Sequence, residues 1–252
     1  MSKYGIIGRG ISESLSPAMF EASYGRASDG AALYDIIDTE TFEEAFERFL
    51  KDYDGVNVTM PYKVEACRKA DFRDESARIV GAANVLVKGS HGVEAYNTDF
   101  DAVRMILSEK KVEGKVLVIG FGGAGKAASR AAATLCEKVF VANRTVSKVV
   151  EYFNGEEGFE ALSLDEIPSV LPQVSCIIYT LPLYHPCIEN FSVLKKGVII
   201  IEANYMHPNI PQSENYAYIG GLKWLLYQAL RGFALLTGTS PSIDKISNSL
   251  KF

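Results

Sequence analysis

Three groups of residues in this chain have types and spacings that could do chemistry. The first is Lys63 in NVTMPYK and Asp99 in YNTD. A lysine and an aspartate brought together form an acid–base pair able to move a proton onto or off an oxygen. The second is a set of hydroxyl and amide side chains: Ser14 and Ser16 in SESLSP, Asn57 and Thr59 just before Lys63, and Asn84 in GAAN. Such donors suit a small polyhydroxylated acid, and a reductase for one needs a proton carrier because a nicotinamide supplies only the hydride. The third is the glycine turn Gly120-Phe121-Gly122-Gly123-Ala124-Gly125, set directly after the apolar run KVLVIG and directly before an Ala-rich helical run. Glycines there permit a tight turn and let backbone N–H groups approach a pyrophosphate at the positive end of a helix.

Singly, most of these residues have a plainer explanation. Ser16 could cap the helix that Pro17 starts, Asp99 could cap the helix DAVRMIL, and Asn84 and Asn97 could sit in turns. Gly120 to Lys126 also fits GxxxxGK, the phosphate loop of nucleotide hydrolases, but Ala127 stands where that loop needs a hydroxyl for magnesium. Twenty-three residues past Gly120 the next strand ends in Asn143-Arg144-Thr145, with Lys148 one turn on. An acidic residue here would bond a ribose hydroxyl, whereas an arginine forks onto a 2′-phosphate, so NADP is favoured over NAD.

The elements that must carry these residues alternate. YGIIG, ALYDII and VNVTM read as strands, and TFEEAFERFLKDY as a helix with Phe42, Ala45, Phe46 and Phe49 on one face. AANVLV and VEAYN, separated by KGSHG, read as a hairpin. From Phe100 onward, strands KVLVIG, KVFVAN, CIIYTLP and GVIIIEAN alternate with helices DAVRMILSEKK, AGKAASRAAATLC and VSKVVEYF, and a long buried helix runs through LKWLLYQALRGFALLTG. Strand–helix–strand units with short turns imply parallel pairing and a sheet covered on both faces. About a hundred residues of α/β pattern precede the glycine turn, which implies two domains, only the second of them nucleotide-binding.

Composition bounds the rest. The chain has 252 residues and a net charge of −5, with 23% of residues charged. An acidic chain without a basic run lacks the footprint of a nucleic-acid binder. Four scattered cysteines and three histidines show no zinc-ligand spacing, so no metal is expected. No apolar run reaches membrane-span length, MSKYGIIGRG has no signal-type apolar region, and the cysteine usage fits a reducing compartment, so a cytoplasmic protein with no membrane partner is expected.

Together SESLSP, GVNVTMPYK, GAAN with YNTD, GFGGAGKA, NRTVSK and GLKWLLYQA followed by TG resemble the shikimate dehydrogenase family, in the family's order, over residues 5 to 238. The resemblance implies an α/β fold with an N-terminal substrate-binding domain, residues 1–100 completed by helices in 222–252, and a doubly wound Rossmann-type NADP domain over 101–221. It implies NADPH-dependent reduction of 3-dehydroshikimate to shikimate in chorismate and aromatic amino acid biosynthesis, in the cleft between the domains. Domain closure over that cleft is expected, with hinges near Asp99–Asp101 and Gly220–Gly221.

By motif, Ser14 and Ser16 would hold the substrate carboxylate. Thr59, Lys63, Asn84, Asp99 and Gln228 would bind ring hydroxyls, and Tyr205 would close on the substrate. Lys63 and Asp99 would be the catalytic pair. Gly120, Phe121, Gly122, Gly123 and Ala124 would take the pyrophosphate, Asn143, Arg144, Thr145 and Lys148 the 2′-phosphate, and Gly221 would lie beside the nicotinamide.

The chain departs from the family on the cofactor side. Tyr179-Thr180-Leu181-Pro182 replaces Asn-Ala-Thr-Pro, Glu202 stands where the family prefers Asp, and Lys223-Trp224 replaces Gly-Met. The stretch from Tyr205 to Gly221 is short and is expected to lack a helix. A quinate or related cyclohexene-acid dehydrogenase and a ligand-binding homologue without turnover remain alternatives. Monomer and homodimer are both open.

Overall fold

A computed structural model describes residues 2–250 except 27 and 29. The chain divides into two compact units, Met1–Asp101 with Leu226–Phe252, and Ala102–Leu225.

The first unit contains β1 (Lys3–Gly8), α1 (Ser16–Tyr24), β2 (Leu33–Asp38), α2 (Phe42–Asp52), β3 (Gly55–Val58), α3 (Lys63–Lys69), β4 (Phe72–Arg73), α4 (Glu75–Val80), β5 (Val85–Gly89) and β6 (Gly92–Tyr96), and the first residues of α5 (Thr98–Glu109). Its sheet runs β2-β1-β3-β5-β6-β4. β1 pairs in parallel with β2 and β3, so Gly8 and Val58 end on one edge. β5 is antiparallel to β3, with Asn57 opposite Val85, and β6 returns with Tyr96 opposite Val85. The same edge therefore carries the segments after β1, β3 and β6 and the residue before β5. That register gathers Ser14, Thr59, Asn84 and Asp99 from four places in the chain.

Packing fixes that sheet. α2 starts at Thr41, whose hydroxyl accepts the Glu44 N–H, with Glu43 and Glu44 suited to the helix's positive end. Phe42, Ala45, Phe46 and Phe49 are buried, as their spacing predicts, in a core with Ile7, Ile37, Val56 and Leu86. The unit is completed from the C-terminal part of α9 (Gly221–Thr237), whose Phe233 ring lies 5.3 Å from Phe20 and 5.7 Å from Tyr34.

The second unit contains β7 (Lys115–Ile119), α6 (Gly123–Ala133), β8 (Lys138–Ala142), α7 (Val146–Phe153), β9 (Phe159–Leu162), α8 (Ile167–Val170), β10 (Cys176–Tyr179), β11 (Val198–Glu202) and β12 (Tyr216–Ile219). Every pairing is parallel and the order is β12-β11-β10-β7-β8-β9. Counted within the unit, that is 3-2-1-4-5-6 read from the β9 side, the doubly wound dinucleotide-binding order. Among the described residues, no helix is long and apolar enough to cross a membrane.

Several details differ from the sequence reading. The strands read as VNVTM, CIIYTLP and GVIIIEAN stop at Val58, Tyr179 and Glu202, because the residues that follow turn into polar loops. β4, α4, β9, α8, β12 and the final helix α10 (Ile243–Ser249) were not anticipated individually; each is at most seven residues long and shows little periodicity. Ser16 does not cap α1: it lies inside the helix, its N–H donating to the Ser14 hydroxyl at 3.3 Å. Asp99 does not cap α5 either, because the helix begins at Thr98 and the Asn97 side chain accepts the Phe100 N–H at 3.0 Å. The division between units falls within α9 at residue 225, four residues beyond the boundary read from sequence.

Phe49 is fully buried and fills the space under β1 and β3. Phe49→Ala should lower stability by about 3–5 kcal/mol, through lost burial and the cavity left behind. Urea unfolding followed by circular dichroism measures this.

Candidate active site

The polar edge of the first unit is organised around one close ion pair. Lys63, the first residue of α3, places its Nζ 2.6 Å from Oδ2 of Asp99, in the first turn of α5. The side chains are 15% and 6% exposed, so the contact is largely shielded from solvent and a charge-assisted hydrogen bond there is strong. A helix N-terminus favours the aspartate and disfavours the lysine. Asp99 offsets that cost and aims the ammonium.

Asn84 organises the neutral groups. Its Oδ1 accepts the Thr98 N–H at 2.7 Å, and its Nδ2 donates to the Thr98 hydroxyl and to Oε1 of Gln228, both at 3.0 Å. The Asn84 carbonyl accepts the Val58 N–H at 2.8 Å, and its own N–H donates to the Tyr96 carbonyl at 3.0 Å. One residue thus joins β3, β5, β6, the start of α5 and α9. Asn84 is nearly fully buried, and Asn97 fully so with its amide donating to the Ala82 carbonyl, so neither is a simple turn residue.

Thr59 is half-buried directly after β3, and its N–H donates to the Ile7 carbonyl at 2.9 Å. Ser14 and Ser16 are half-buried beyond β1. Two residues missing from the sequence-based site hold these in place. Asp38, at the end of β2, accepts the Gly10 and Ile11 N–H groups at 2.8 and 2.9 Å and so fixes the segment leading to Ser14. The Tyr34 phenol donates to Asn57 Oδ1 at 2.6 Å, fixing the amide just before Thr59. Burial pushes that phenol far above its ordinary pKa, so it stays a donor. In sequence, both are ordinary residues of an alternating strand, and only the sheet register reveals them.

In the second unit the glycine turn joins β7 to α6 beside the end of β10, where the strand order reverses, the place where such sheets bind nucleotides. Gly120 has φ +98°, and a side chain there would meet Thr180 and Leu181. Gly125, outside the sequence-based site, is packed so tightly on the Gly120 carbonyl that any Cβ would overlap it. Gly122 differs: its φ is ordinary, and a Cβ there would meet nothing within 4 Å. Structure demands glycine at 120 and 125, whereas at 122 it leaves a bare backbone facing open space. Gly123 and Ala124 begin α6, whose first N–H groups have no partner within the helix.

Other cofactor-side residues are also placed. The Phe121 side chain is buried against Tyr152 and Phe153, with ring centroids 5.2 and 5.7 Å away, so only its backbone faces the turn. The Asn143 amide donates to the Thr145 carbonyl at 2.9 Å and shapes the turn after β8. Arg144 and Lys148 are exposed and form no ion pair among the described residues. Lys126 lies over the Tyr152 ring, 4.8 Å from its centroid, and Ala127 is fully buried, an arrangement unlike a hydrolase phosphate loop. Tyr205 is half-buried, which raises its phenol pKa, and Gly221 packs on the backbone at Ala203 and Asn204. Among the described residues no group of three or more His, Cys, Asp or Glu side chains could hold a metal, and all four cysteines are free.

A six-stranded parallel sheet of dinucleotide-binding order and a mixed sheet with an acid–base pair on its polar edge define a two-unit α/β dehydrogenase. The family described as shikimate dehydrogenase substrate binding domain matches residues 6–86, and the one described as shikimate / quinate 5-dehydrogenase matches residues 102–197. The chain is 32% identical to a shikimate dehydrogenase (NADP(+)) of Bacillus cereus strain AH187, over 96% of this chain and 95% of that protein. The crystal structure of shikimate dehydrogenase from Aquifex aeolicus superposes with a TM-score of 0.86 at 27% identity, covering 100% of this chain and 98% of that one. The Thermus thermophilus shikimate 5-dehydrogenase in complex with shikimate gives 0.83 at 25% identity, covering 99% and 98%. This chain belongs to the shikimate dehydrogenase family.

The glycine geometry separates architecture from ligand contact. Gly122→Ala should leave stability within about 0.5 kcal/mol, as expected for a substitution that meets nothing. It should weaken NADPH binding at least tenfold, read by the fluorescence of the reduced nicotinamide. Gly125→Ala should lower the melting temperature of the second unit as well.

Proposed function

We propose that this protein is a cytoplasmic NADP-dependent dehydrogenase interconverting 3-dehydroshikimate and shikimate, a step of chorismate and aromatic amino acid biosynthesis. The observation that carries the reading is the shielded 2.6 Å contact of Lys63 with Asp99 on an edge lined by hydroxyl and amide groups. A membership of the family alone would not require that pair to be intact.

Ser14 and Ser16 have the hydroxyls to hold a carboxylate, with Asp38 fixing the segment that leads to them. Thr59, Asn84 and Gln228 offer neutral donors and acceptors for ring hydroxyls, and the Asn84–Gln228 bond orients both amides before substrate arrives. The Tyr205 phenol is a further candidate substrate contact. Lys63 gives its proton to the oxygen that becomes the hydroxyl, and takes it back in the reverse direction. Asp99 holds the ammonium in line through that transfer.

The residues of the second unit fit an NADP cofactor. The bare Gly122 backbone and the start of α6 would take the pyrophosphate, with Gly120, Phe121, Gly123 and Ala124 contributing main chain. Arg144 and Lys148, with Asn143 and Thr145 shaping the turn, would take the 2′-phosphate, and Gly221 would border the nicotinamide. When bound, the cofactor supplies or accepts the hydride.

Three measurements test this. Initial rates with shikimate and quinate, each crossed with NADP⁺ and NAD⁺, should be fast only for shikimate with NADP⁺. A quinate preference would shift the substrate assignment, and ligand binding without turnover would point to a non-catalytic homologue. Lys63→Ala should lower kcat about 10²- to 10⁴-fold, the range for loss of a general acid, with a smaller change in KM. Arg144→Ala should raise KM for NADP⁺ about tenfold and leave NAD⁺ turnover unchanged, as expected when one charge-assisted phosphate contact is lost.

A further inference from the structure

Glu202 is fully buried at the end of β11 and has no part in the roles assigned above. An uncompensated carboxylate there would be costly. It is compensated by four donors: Oε1 accepts the Asn209 N–H at 2.6 Å and the Asn209 Nδ2 at 3.1 Å, and Oε2 accepts the Ile210 N–H at 3.3 Å and the Tyr218 hydroxyl at 2.7 Å. Three of the four come from residues 209 and 210, the far end of the segment that leaves β11, and the fourth from β12.

The near end of this segment is tied as well. The Ala203 N–H donates to the Tyr179 carbonyl at 2.9 Å, and the Asn204 amide donates to the Pro182 carbonyl at 3.1 Å while its Oδ1 accepts the His207 N–H at 3.3 Å. Gly221 packs on the same stretch: a Cβ there would lie 2.7 Å from the Ala203 oxygen and the Asn204 carbonyl carbon. Tyr205 stands between the two anchored ends. A loop with no regular structure is thereby closed onto a single buried carboxylate.

We propose that Glu202 is a positioning residue for the reaction, its buried carboxylate clamping residues 203–210 so that Tyr205 is presented in one place. This rests on the reading of Tyr205 as a substrate contact. The Glu202 side chain reaches donors on both sides of the segment, Asn209 and Ile210 on one side and Tyr218 of β12 on the other. Glutamine cannot reproduce the clamp. Asn209 and Ile210 present only N–H donors to it, and an amide offers one oxygen where the carboxylate offers two, so at least one donor must face an NH₂ group.

The test is Glu202→Gln beside Tyr205→Phe and the double variant. In Glu202→Gln, hydrogen exchange of peptides covering 203–210 should quicken at least tenfold while peptides of β7 and α6 stay unchanged. KM for shikimate should rise at least fivefold, with the NADPH dissociation constant within twofold of the parent. If Glu202 acts through Tyr205, the effects will not add, and the double variant will have a KM within twofold of Tyr205→Phe. Unchanged exchange over 203–210, or fully additive effects on KM, would overturn the proposal. A normal KM in Tyr205→Phe would instead remove Tyr205 from the substrate site, and exchange alone would then decide whether the clamp exists. A purely structural role would lower the melting temperature without moving KM.

Discussion

The contact between Lys63 and Asp99 is the constraint around which the first unit is arranged. Each residue lies at the start of a helix, and the two helices leave the same sheet edge from different strands. A lysine at a helix N-terminus is held against the dipole, so the pair is not a device for stability. Shielded ion pairs in general add little to stability, because desolvation takes back much of the attraction. An ion pair of this kind, on an edge lined by hydroxyl and amide groups, fits the proton transfer proposed for it.

Neutral hydrogen bonds do the remaining positioning. Asn84 uses backbone and side chain together to tie three strands and two helices, and among the described residues no buried side-chain nitrogen or oxygen lacks a partner. A fully satisfied network of amides has few alternative arrangements, since shifting one member strands another without a partner. Asp38 extends this to the segment that leads to Ser14, and Tyr34 extends it to Asn57. Orientation is set before binding, which limits the ordering that substrate must impose.

The strongly periodic and strongly punctuated parts of this architecture were legible in the sequence. The face of α2 follows from its helical spacing, and the glycine turn from its position between an apolar strand and an Ala-rich helix. The short elements β4, β9 and β12 were not legible, because two to four residues carry no usable period. The capping roles suggested for Ser16 and Asp99 failed for a related reason. Helix starts depend on which side chain reaches a free N–H, and here Asn97 reaches it, which leaves the Asp99 carboxylate to Lys63. Glu202, Asp38 and Tyr34 were opaque because their importance lies in partners seven to twenty-eight residues away. Local sequence holds no record of such pairings.

The departures from the family on the cofactor side look different once the second unit is seen. The features it shares with dinucleotide-binding sheets are made by backbone: strand order, the glycine turn and the start of α6. Side chains can vary around such a frame provided they remain packed and paired. Tyr179 is fully buried, with its hydroxyl donating to the Leu183 carbonyl at 2.7 Å, and Thr180 donates to the Ile119 carbonyl at 2.9 Å, joining the ends of β10 and β7 beside Gly120. Trp224 is buried in α9, and Lys223 bonds Glu109 at 2.6 Å. Each replacement brings a bond or a packed surface of its own. These substitutions therefore leave the frame of the second unit packed and paired.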